Sequence, residues 1–542
     1  MPRGRTVAIA SAVAVLVAAG AAGGAYYVLH TRGTPAETAQ RFTAAWTRGD
    51  LAAMKAQLAS PASGFDAAYA ELTKNLGATG VAVSGLQVSA PANDRATAGF
   101  TVTAALKNVG DWTYQGRLNL VVKDHYWKVD WSPAAVHPAL DGTGHLALKT
   151  TWPQRAVITD ANGDRIDGTD VGGSVQQLVG YLDKATPKDV KKLGAAYRLK
   201  DPVGRGGLQE TFQKQLAGTP TTEIQLVGGQ AKTLHTIEGK PGEDLKTTLD
   251  LRVQTAAADS VRDLDKPASL VAIRPSSGEI LAVVNNKGGF NRALDGRYPP
   301  GSTFKTVTAA GLLAAGLTPS SDVSCPKTVK VGGLDIRNSD HEAFGSLSFL
   351  DSYAHSCNTT FAPLAAEKLN AQKLYDMATD LGFNRPLNIG VPATSGSMPK
   401  ATSVAELAAE SFGQARILAT PLVMATVAAA VADGSWRPPT LVPSLKQKAS
   451  PQQLPDGVAD QLRSMMRAVV TKGTAHAAGL PSGTAGKTGT AEFGVGDKLD
   501  THAWFIGFRG DLAFAVIVEA GGMGGEVAAP VAAHFLKSLP QM

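Results

Sequence analysis

The sequence predicts a multidomain α+β protein behind an apolar N-terminal segment, and three observations carry that expectation. Its 542 residues exceed what one core usually organises, since domains run to roughly 150 residues each. Segments of period-2 apolar alternation and short continuous apolar runs are interleaved with helical stretches, which is the mixed pattern of α+β folds. The composition is globular: 44% of residues are hydrophobic, and Gly (58) and Pro (30) are far from collagen-like or disordered levels.

The elements follow in chain order. After Arg3 and Arg5 the chain is uncharged from Thr6 through Thr31, with Val7, Ile9, Val13, Val15, Leu16, Val17 and Val28 as its apolar body, long enough to span a bilayer. Positive charge ahead of it puts the first residues inside and everything after Arg32 outside. The small residues from Ala21 to Ala25 also suit a signal peptidase, so 1–33 reads as a short cytoplasmic tail with a transmembrane anchor or as a signal peptide. Both readings export the rest and remove ATP from its surroundings. The segment 34–148 opens on a helical pattern (Phe42, Trp46, Leu51, Met54) with start signals at Pro35 and Glu37. It continues in strand-like alternation around Phe100 to Ala104, Trp112 to Val122 and Tyr126 to Trp131, so it reads as a compact α+β domain whose Trp and Tyr residues pack the core.

The segment 149–259 is rich in Gly and Lys, lacks a long apolar run and has loop signals at Val203 to Gly207 and Pro241 to Asp244, as expected of a linking domain. A third domain, 260–542, begins with two short apolar strands, Leu270 to Ile273 and Ile280 to Val284, around the turn Pro275–Ser276–Ser277–Gly278. Helical stretches at Thr303 to Ala315 and Leu422 to Val431 follow, then strands at Ala503 to Phe508 and Leu512 to Val518, reversed by Arg509–Gly510–Asp511.

Charge and cysteine content exclude several functions. The net charge is +6, and no Lys/Arg cluster is interleaved with aromatics, so nucleic acid is not an expected partner. Two cysteines, Cys325 and Cys357, cannot build a cysteine-based zinc site, and no His/carboxylate spacing suggests another metal. One bridge between them is the most they could form, and only in an oxidising compartment; two buried thiols are the alternative, and the sequence does not give their separation.

Three short motifs carry chemistry. In YPPGSTFK, Pro299, Pro300 and Gly301 end an extended stretch and Ser302 opens a helix. Residues i and i+3 share a helix face, so Lys305 stands beside Ser302 and takes its hydroxyl proton, provided burial or a nearby cation keeps the lysine neutral. In HSCNTT, Ser356 offers a proton-relaying hydroxyl and Asn358 a peptide-holding amide, although both residue types also cap helices. In AGKTGTAEF, Gly486 and Gly489 permit close backbone approach while Lys487, Thr488 and Thr490 present a cation and hydroxyls suited to a carboxylate. A phosphate-binding loop would need glycine where Pro481 stands.

In order, Ser302/Lys305, Ser356/Asn358 and Lys487/Thr488/Gly489 resemble the three motifs S-x-x-K, S-x-N and K-T-G of the penicillin-interacting family. LVAIRPSSGEILAVV, YPPGSTFK, GKTGTAE and HAWFIGF are similar to the transpeptidase domain of class B penicillin-binding proteins across 260–542. VGRGGLQETFQKQLAGTP resembles their dimerisation or pedestal domain (149–259), and Trp127 to Leu140 resembles the end of an NTF2-like domain (34–148) found in a low-affinity subgroup. Ala156 departs from a position usually glycine in the pedestal motif.

The resemblance implies a serine β-lactamase/transpeptidase-like domain, an antiparallel sheet flanked by helices, that cross-links peptidoglycan. Ser302 attacks a D-alanyl-D-alanine terminus, Lys305 takes the proton, Ser356 relays it to the leaving amine and Asn358 holds the peptide. Lys487 supplies positive potential, Thr488, Gly489 and Thr490 bind the substrate end, and the N–H groups of Ser302 and Thr490 form the oxyanion hole. It further implies no metal or cofactor, β-lactams as covalent inhibitors with reduced sensitivity, a single-pass membrane enzyme with an extracytoplasmic catalytic domain, and a multi-span glycosyltransferase partner. A D,D-carboxypeptidase would use water in place of the acceptor amine. A serine β-lactamase shares STFK but in that class has Ser-x-Val where Asn358 stands, and a β-lactam sensor would need an output module for which Met1 to Arg5 leave no room.

Overall fold

The computed structural model describes residues 16–17, 31–107, 109–194, 196–228, 231–494 and 499–540. They fall into two compact units, one of 1–156, 184–202 and 217–243, the other of 157–183, 203–216 and 244–542. The expected anchor or signal segment, 1–33, lies outside the described residues except for Leu16, Val17, Thr31, Arg32 and Gly33. Leu16 and Val17 pair in parallel with Gln87 and Val88. Among the described residues no helix is long and apolar enough to cross a membrane.

In the first unit, helix α1 (Pro35–Thr47) starts where Thr34 and Glu37 satisfy each other's backbone N–H groups in a capping box. It buries Ala39, Phe42, Ala45 and Trp46, and α2 (Phe65–Lys74) buries Phe65, Ala68, Tyr69 and Leu72, the helical spacing in both cases. Four antiparallel strands, β1 (Ala78–Val88), β2 (Arg95–Leu106), β3 (Gly110–Lys123) and β4 (Tyr126–Asp130), form a meander. Alternate residues of β2 from Ala96 to Leu106 are buried. The Trp46 ring stands edge-on to Tyr69 at 5.1 Å and to Phe100 at 6.1 Å. Burying side chains of this size stabilises the fold by about 1.5–3 kcal/mol each, so the aromatic residues are core, as expected.

Two elements went unanticipated. β1 contains Gly80 and Gly85, and its pairing slips between Ser84 and Gln87, which breaks the period-2 alternation that marks a strand. α2 is only ten residues long, below the window over which helical periodicity stands out. A second sheet, β5 (His145–Thr151), β6 (Thr221–Val227) and β7 (Lys232–Ile237), lies with β6 in the middle, and its Leu146 and Ile224 join the same core.

In the second unit, two of the three glycines of VGRGG, Gly204 and Gly207, are steric requirements. A Cβ on Gly204 would lie 2.0 Å from Gln209 O, and one on Gly207, at φ +50°, would lie 2.1 Å from Leu178 O. The centre is a five-stranded antiparallel sheet of β8 (Ala268–Ile273), β9 (Ile280–Asn285), β10 (Ala485–Phe493), β11 (Asp500–Phe508) and β12 (Ala513–Val518), in the order β9-β8-β12-β11-β10. Every residue of β8, β9 and β12 is buried, which accounts for their continuous apolar runs. The expected hairpin and the later strand pair are both present. Helices α3 (Leu251–Val261) and α10 (Ala528–Ser538) pack together against the sheet, and α8 (Pro421–Asp433) and α9 (Val458–Thr471) form a second pair against it. α8, apolar on every side, is buried almost throughout. The sheet ends on β10 as an edge strand, and the functional motifs gather there.

Candidate active site

The catalytic turn is built by close backbone approach. Gly301 (φ +52°) opens a 3₁₀ turn, Gly301–Phe304, that runs into α4 (Lys305–Ala314), so the expected helix begins as a tighter turn and Ser302 lies in it. A Cβ on Gly301 would lie 2.7 Å from Thr490 O, and one on Gly489 would lie 2.8 Å from Thr303 Cγ2, so strand and turn meet only through glycine. The indole of Trp504 donates to Pro299 O at 3.0 Å, and Gly301 N donates to Gly413 O at 3.0 Å, holding the turn from two sides.

Lys305 is fully buried. Its Nζ lies 3.0 Å from Ser302 Oγ, 2.6 Å from Ser356 O, 3.2 Å from Ser356 Oγ and 2.6 Å from Asn358 Oδ1. Burial and then the neighbouring Lys487 charge push its pKa well below the ordinary lysine value. A neutral amine has two N–H groups and one lone pair. The two short contacts, to Ser356 O and Asn358 Oδ1, take the N–H groups and leave the lone pair for the Ser302 hydroxyl.

The second motif sits in a three-residue connection between α5 (Phe349–Ala354) and α6 (Asn358–Lys368). Ser356 adopts φ +62°, an unfavourable conformation for serine that turns its carbonyl and hydroxyl toward Lys305. Asn358 Nδ2 donates to Arg337 O at 2.9 Å, which orients its Oδ1 to the lysine. Cys357, between the two, is bridged to Cys325, resolving the alternative left open by the sequence.

The third motif lies on β10. Lys487 is also fully buried and donates to Ser356 Oγ and to Thr488 O, each at 2.9 Å. Desolvation lowers its pKa to about 7. The Ser356 hydroxyl therefore stands between two lysine nitrogens, 3.2 Å from one and 2.9 Å from the other, a geometry able to relay a proton. Thr488 Oγ1 bonds Thr474 Oγ1 at 2.6 Å, and Thr490 Oγ1 accepts from Gly524 N at 3.3 Å. A cleft of about 550 Å³ opens over the site, lined by Ser302, Asn358, Thr490, Arg337, Glu492 and Phe412 among others. All eight residues singled out in the sequence thus fall in or around one site. Among the described residues no group of acidic, His or Cys side chains could hold a metal ion.

Nothing in the sequence pattern pointed to Glu410, the last residue of α7 (Val404–Glu410). It is fully buried, and neither carboxyl oxygen has a hydrogen-bond partner among the described residues. Its backbone O accepts from Gly413 N, and Gly413 buttresses Gly301. Burial, reinforced by Glu406, raises its pKa to about 7. Because the folded value lies above the ordinary unfolded one of about 4.3, the folded state keeps a proton the unfolded state has released, so stability falls as pH rises toward 7 and stays lower beyond. Glu410→Gln should therefore raise the unfolding free energy by about 1–3 kcal/mol at pH 8 relative to its effect at pH 5. Denaturant melts at the two pH values check this, and an equal effect at both would refute it.

A Ser-x-x-Lys pair with the serine at the cleft and the lysine buried behind it, bridged by a second serine to a lysine on a sheet edge, defines a serine acyl-transfer centre of the penicillin-interacting type. Comparison with known proteins agrees. The penicillin binding protein transpeptidase domain matches residues 268–537, the penicillin-binding protein dimerisation domain 170–247, and the NTF2-like N-terminal transpeptidase domain 34–144. The chain is similar to the peptidoglycan D,D-transpeptidase PbpA of Mycolicibacterium smegmatis, 31% identical over 60% of this chain and 77% of that one, and to PbpA of Mycobacterium tuberculosis, 29% identical over 64% and 79%. Among solved structures, Pseudomonas aeruginosa PBP2 in complex with WCK 5153 superposes with a TM-score of 0.61 at 26% identity over 72% of this chain and 96% of that one. The chain belongs to the class B penicillin-binding proteins.

Proposed function

We propose that this protein is a peptidoglycan D,D-transpeptidase, working through a serine acyl-enzyme and covalently inhibited by penicillin. The observation that carries the reading is the Lys305 nitrogen, 3.0 Å from Ser302 Oγ with its two N–H positions taken by carbonyl oxygens. Ser302 Oγ attacks the carbonyl of a D-alanyl-D-alanine stem terminus while its proton goes to Lys305. The oxyanion is held by the N–H groups of Ser302 and Thr490, each such donor being worth about 3–4 kcal/mol. The C–N bond breaks, the terminal D-alanine leaves with a proton delivered through Ser356, and the acyl group stays on Ser302. An amine from a second stem peptide then attacks the ester, loses its proton to the same relay and frees Ser302 as the cross-link forms. Asn358 holds the donor peptide, and Lys487, Thr488, Gly489 and Thr490 receive its terminal carboxylate.

The test incubates the full chain with a D-alanyl-D-alanine pentapeptide with and without an acceptor amine, and separates the products by mass. A peptide product joined to the acceptor supports transpeptidation. Tetrapeptide alone in the presence of the acceptor would make the enzyme a carboxypeptidase, and the absence of both products would overturn the reading.

The wider organisation belongs to the same proposal: an anchor or signal peptide in 1–33, an NTF2-like domain over 34–148, a pedestal over 149–259 and the transpeptidase over 260–542. The Arg3/Arg5 charge ahead of the apolar run supports a single-pass enzyme with its site outside the membrane. A multi-span glycosyltransferase supplying glycan, and reduced β-lactam sensitivity tied to the NTF2-like domain, rest on family likeness.

A further inference from the structure

We infer that the Cys325–Cys357 disulfide is a positioning element of the acylation centre, holding Ser356 and Asn358 where Lys305 requires them. The inference rests on the acyl-transfer reading above. Cys357 is the middle residue of the second motif, with both its neighbours bonded to Lys305. Its partner Cys325 ends a short strand, Asp322–Cys325, paired with Gly345–Ser348. The bridge closes a loop of 32 residues, and that loop carries the cleft wall: the hairpin Thr328–Val331/Leu334–Arg337, whose Arg337 O orients Asn358. One covalent bond thus ties the catalytic connection to the wall that faces it.

The polar groups around the sulfurs point the same way. Asn338, also a cleft residue, donates through Nδ2 to Pro326 O and Glu342 O, each at 3.0 Å, and reaches Cys325 Sγ at 3.4 Å. Its Oδ1 accepts from Thr359 N at 3.1 Å, one residue beyond Asn358, and Thr359 Oγ1 donates to Pro326 O at 2.7 Å. The backbone on both sides of the bridge is therefore locked to a single amide. The left-handed conformation of Ser356 is unfavourable in an unconstrained loop, so the connection needs such a constraint to stay in its active shape. Both sulfurs are buried, which makes the bridge a fixed part of the site.

The test measures the second-order rate of Ser302 acylation by benzylpenicillin across pH for wild type and for the Cys325→Ala/Cys357→Ala variant, with circular dichroism to verify folding. Misplacing a catalytic group by about 1 Å costs on the order of 10²-fold, so the variant should acylate about 10- to 100-fold more slowly. Its acidic limb should also move to higher pH, because a loosened connection lets water reach Lys305 and raises its pKa; a merely structural role would leave that limb in place. Should the double variant fail to fold, Cys325→Ser, which leaves a hydroxyl beside Asn338, carries the same comparison. A variant rate within about twofold of wild type with an unmoved limb would overturn the inference, whereas a wild type that does not acylate would overturn the acyl-transfer reading instead.

Discussion

Ser302→Ala is expected to abolish covalent labelling by benzylpenicillin and release of D-alanine while leaving the fold intact. Among the described residues it is the only hydroxyl bonded to Lys305 that also lines the cleft, because the other, on Ser356, is engaged by Lys487. Stability should change by about 1 kcal/mol or less, since Lys305 keeps Ser356 O and Asn358 Oδ1 as its short partners when the serine oxygen is removed. Intact mass before and after mixing with drug reads the first effect, and a thermal melt the second. An adduct on the alanine variant would mean that another side chain is the nucleophile and would discard the assignment. A collapsed melt would mean that the hydroxyl matters to the fold.

Much of this site was legible in the sequence because its chemistry is local. Ser302 and Lys305 are three apart at a helix start, Ser356 and Asn358 flank one residue, and Lys487 to Thr490 are contiguous, so each pair's geometry follows from backbone period alone. Their convergence was readable only as a family resemblance, since the contacts joining them run across 51 and 131 residues of chain. What escaped the sequence has a physical reason in each case. β1 is interrupted by a bulge, so its alternation fails just where it would have been read. Glu410 belongs to no motif that the sequence shows, and only packing in three dimensions reveals a buried carboxyl without a partner among the described residues. Two cysteines 32 residues apart carry no statement of distance, whereas the fold sets their Cα atoms at 6.0 Å. Fully buried strands such as β8 and β12 show no alternation and were legible as continuous apolar runs, while the resemblance added that they join in one antiparallel sheet.

Lys305→Arg separates the two roles a buried lysine can play. If the side chain served as a fixed cation, arginine would preserve the charge and most activity would remain. If it is the base, arginine fails, because a guanidinium does not lose its proton in the accessible pH range. The structure favours the second outcome: burial and the Lys487 charge both drive Lys305 toward the neutral form, and its two short contacts are to acceptors that a neutral amine already satisfies. Acylation by benzylpenicillin should fall by about 10²–10⁴-fold in Lys305→Arg, and by a similar factor in Lys305→Met, which removes base and charge together. The pH dependence of the wild type carries a matching sign. Acylation should decline on the acid side as Lys305 gains its proton, and on the alkaline side above about pH 7 as Lys487 loses the charge that draws the substrate carboxylate. In Lys487→Arg, whose charge persists, the alkaline decline should disappear while the acid limb remains. An arginine variant at position 305 within tenfold of wild type would show that the site works through charge, and the base would have to be sought elsewhere.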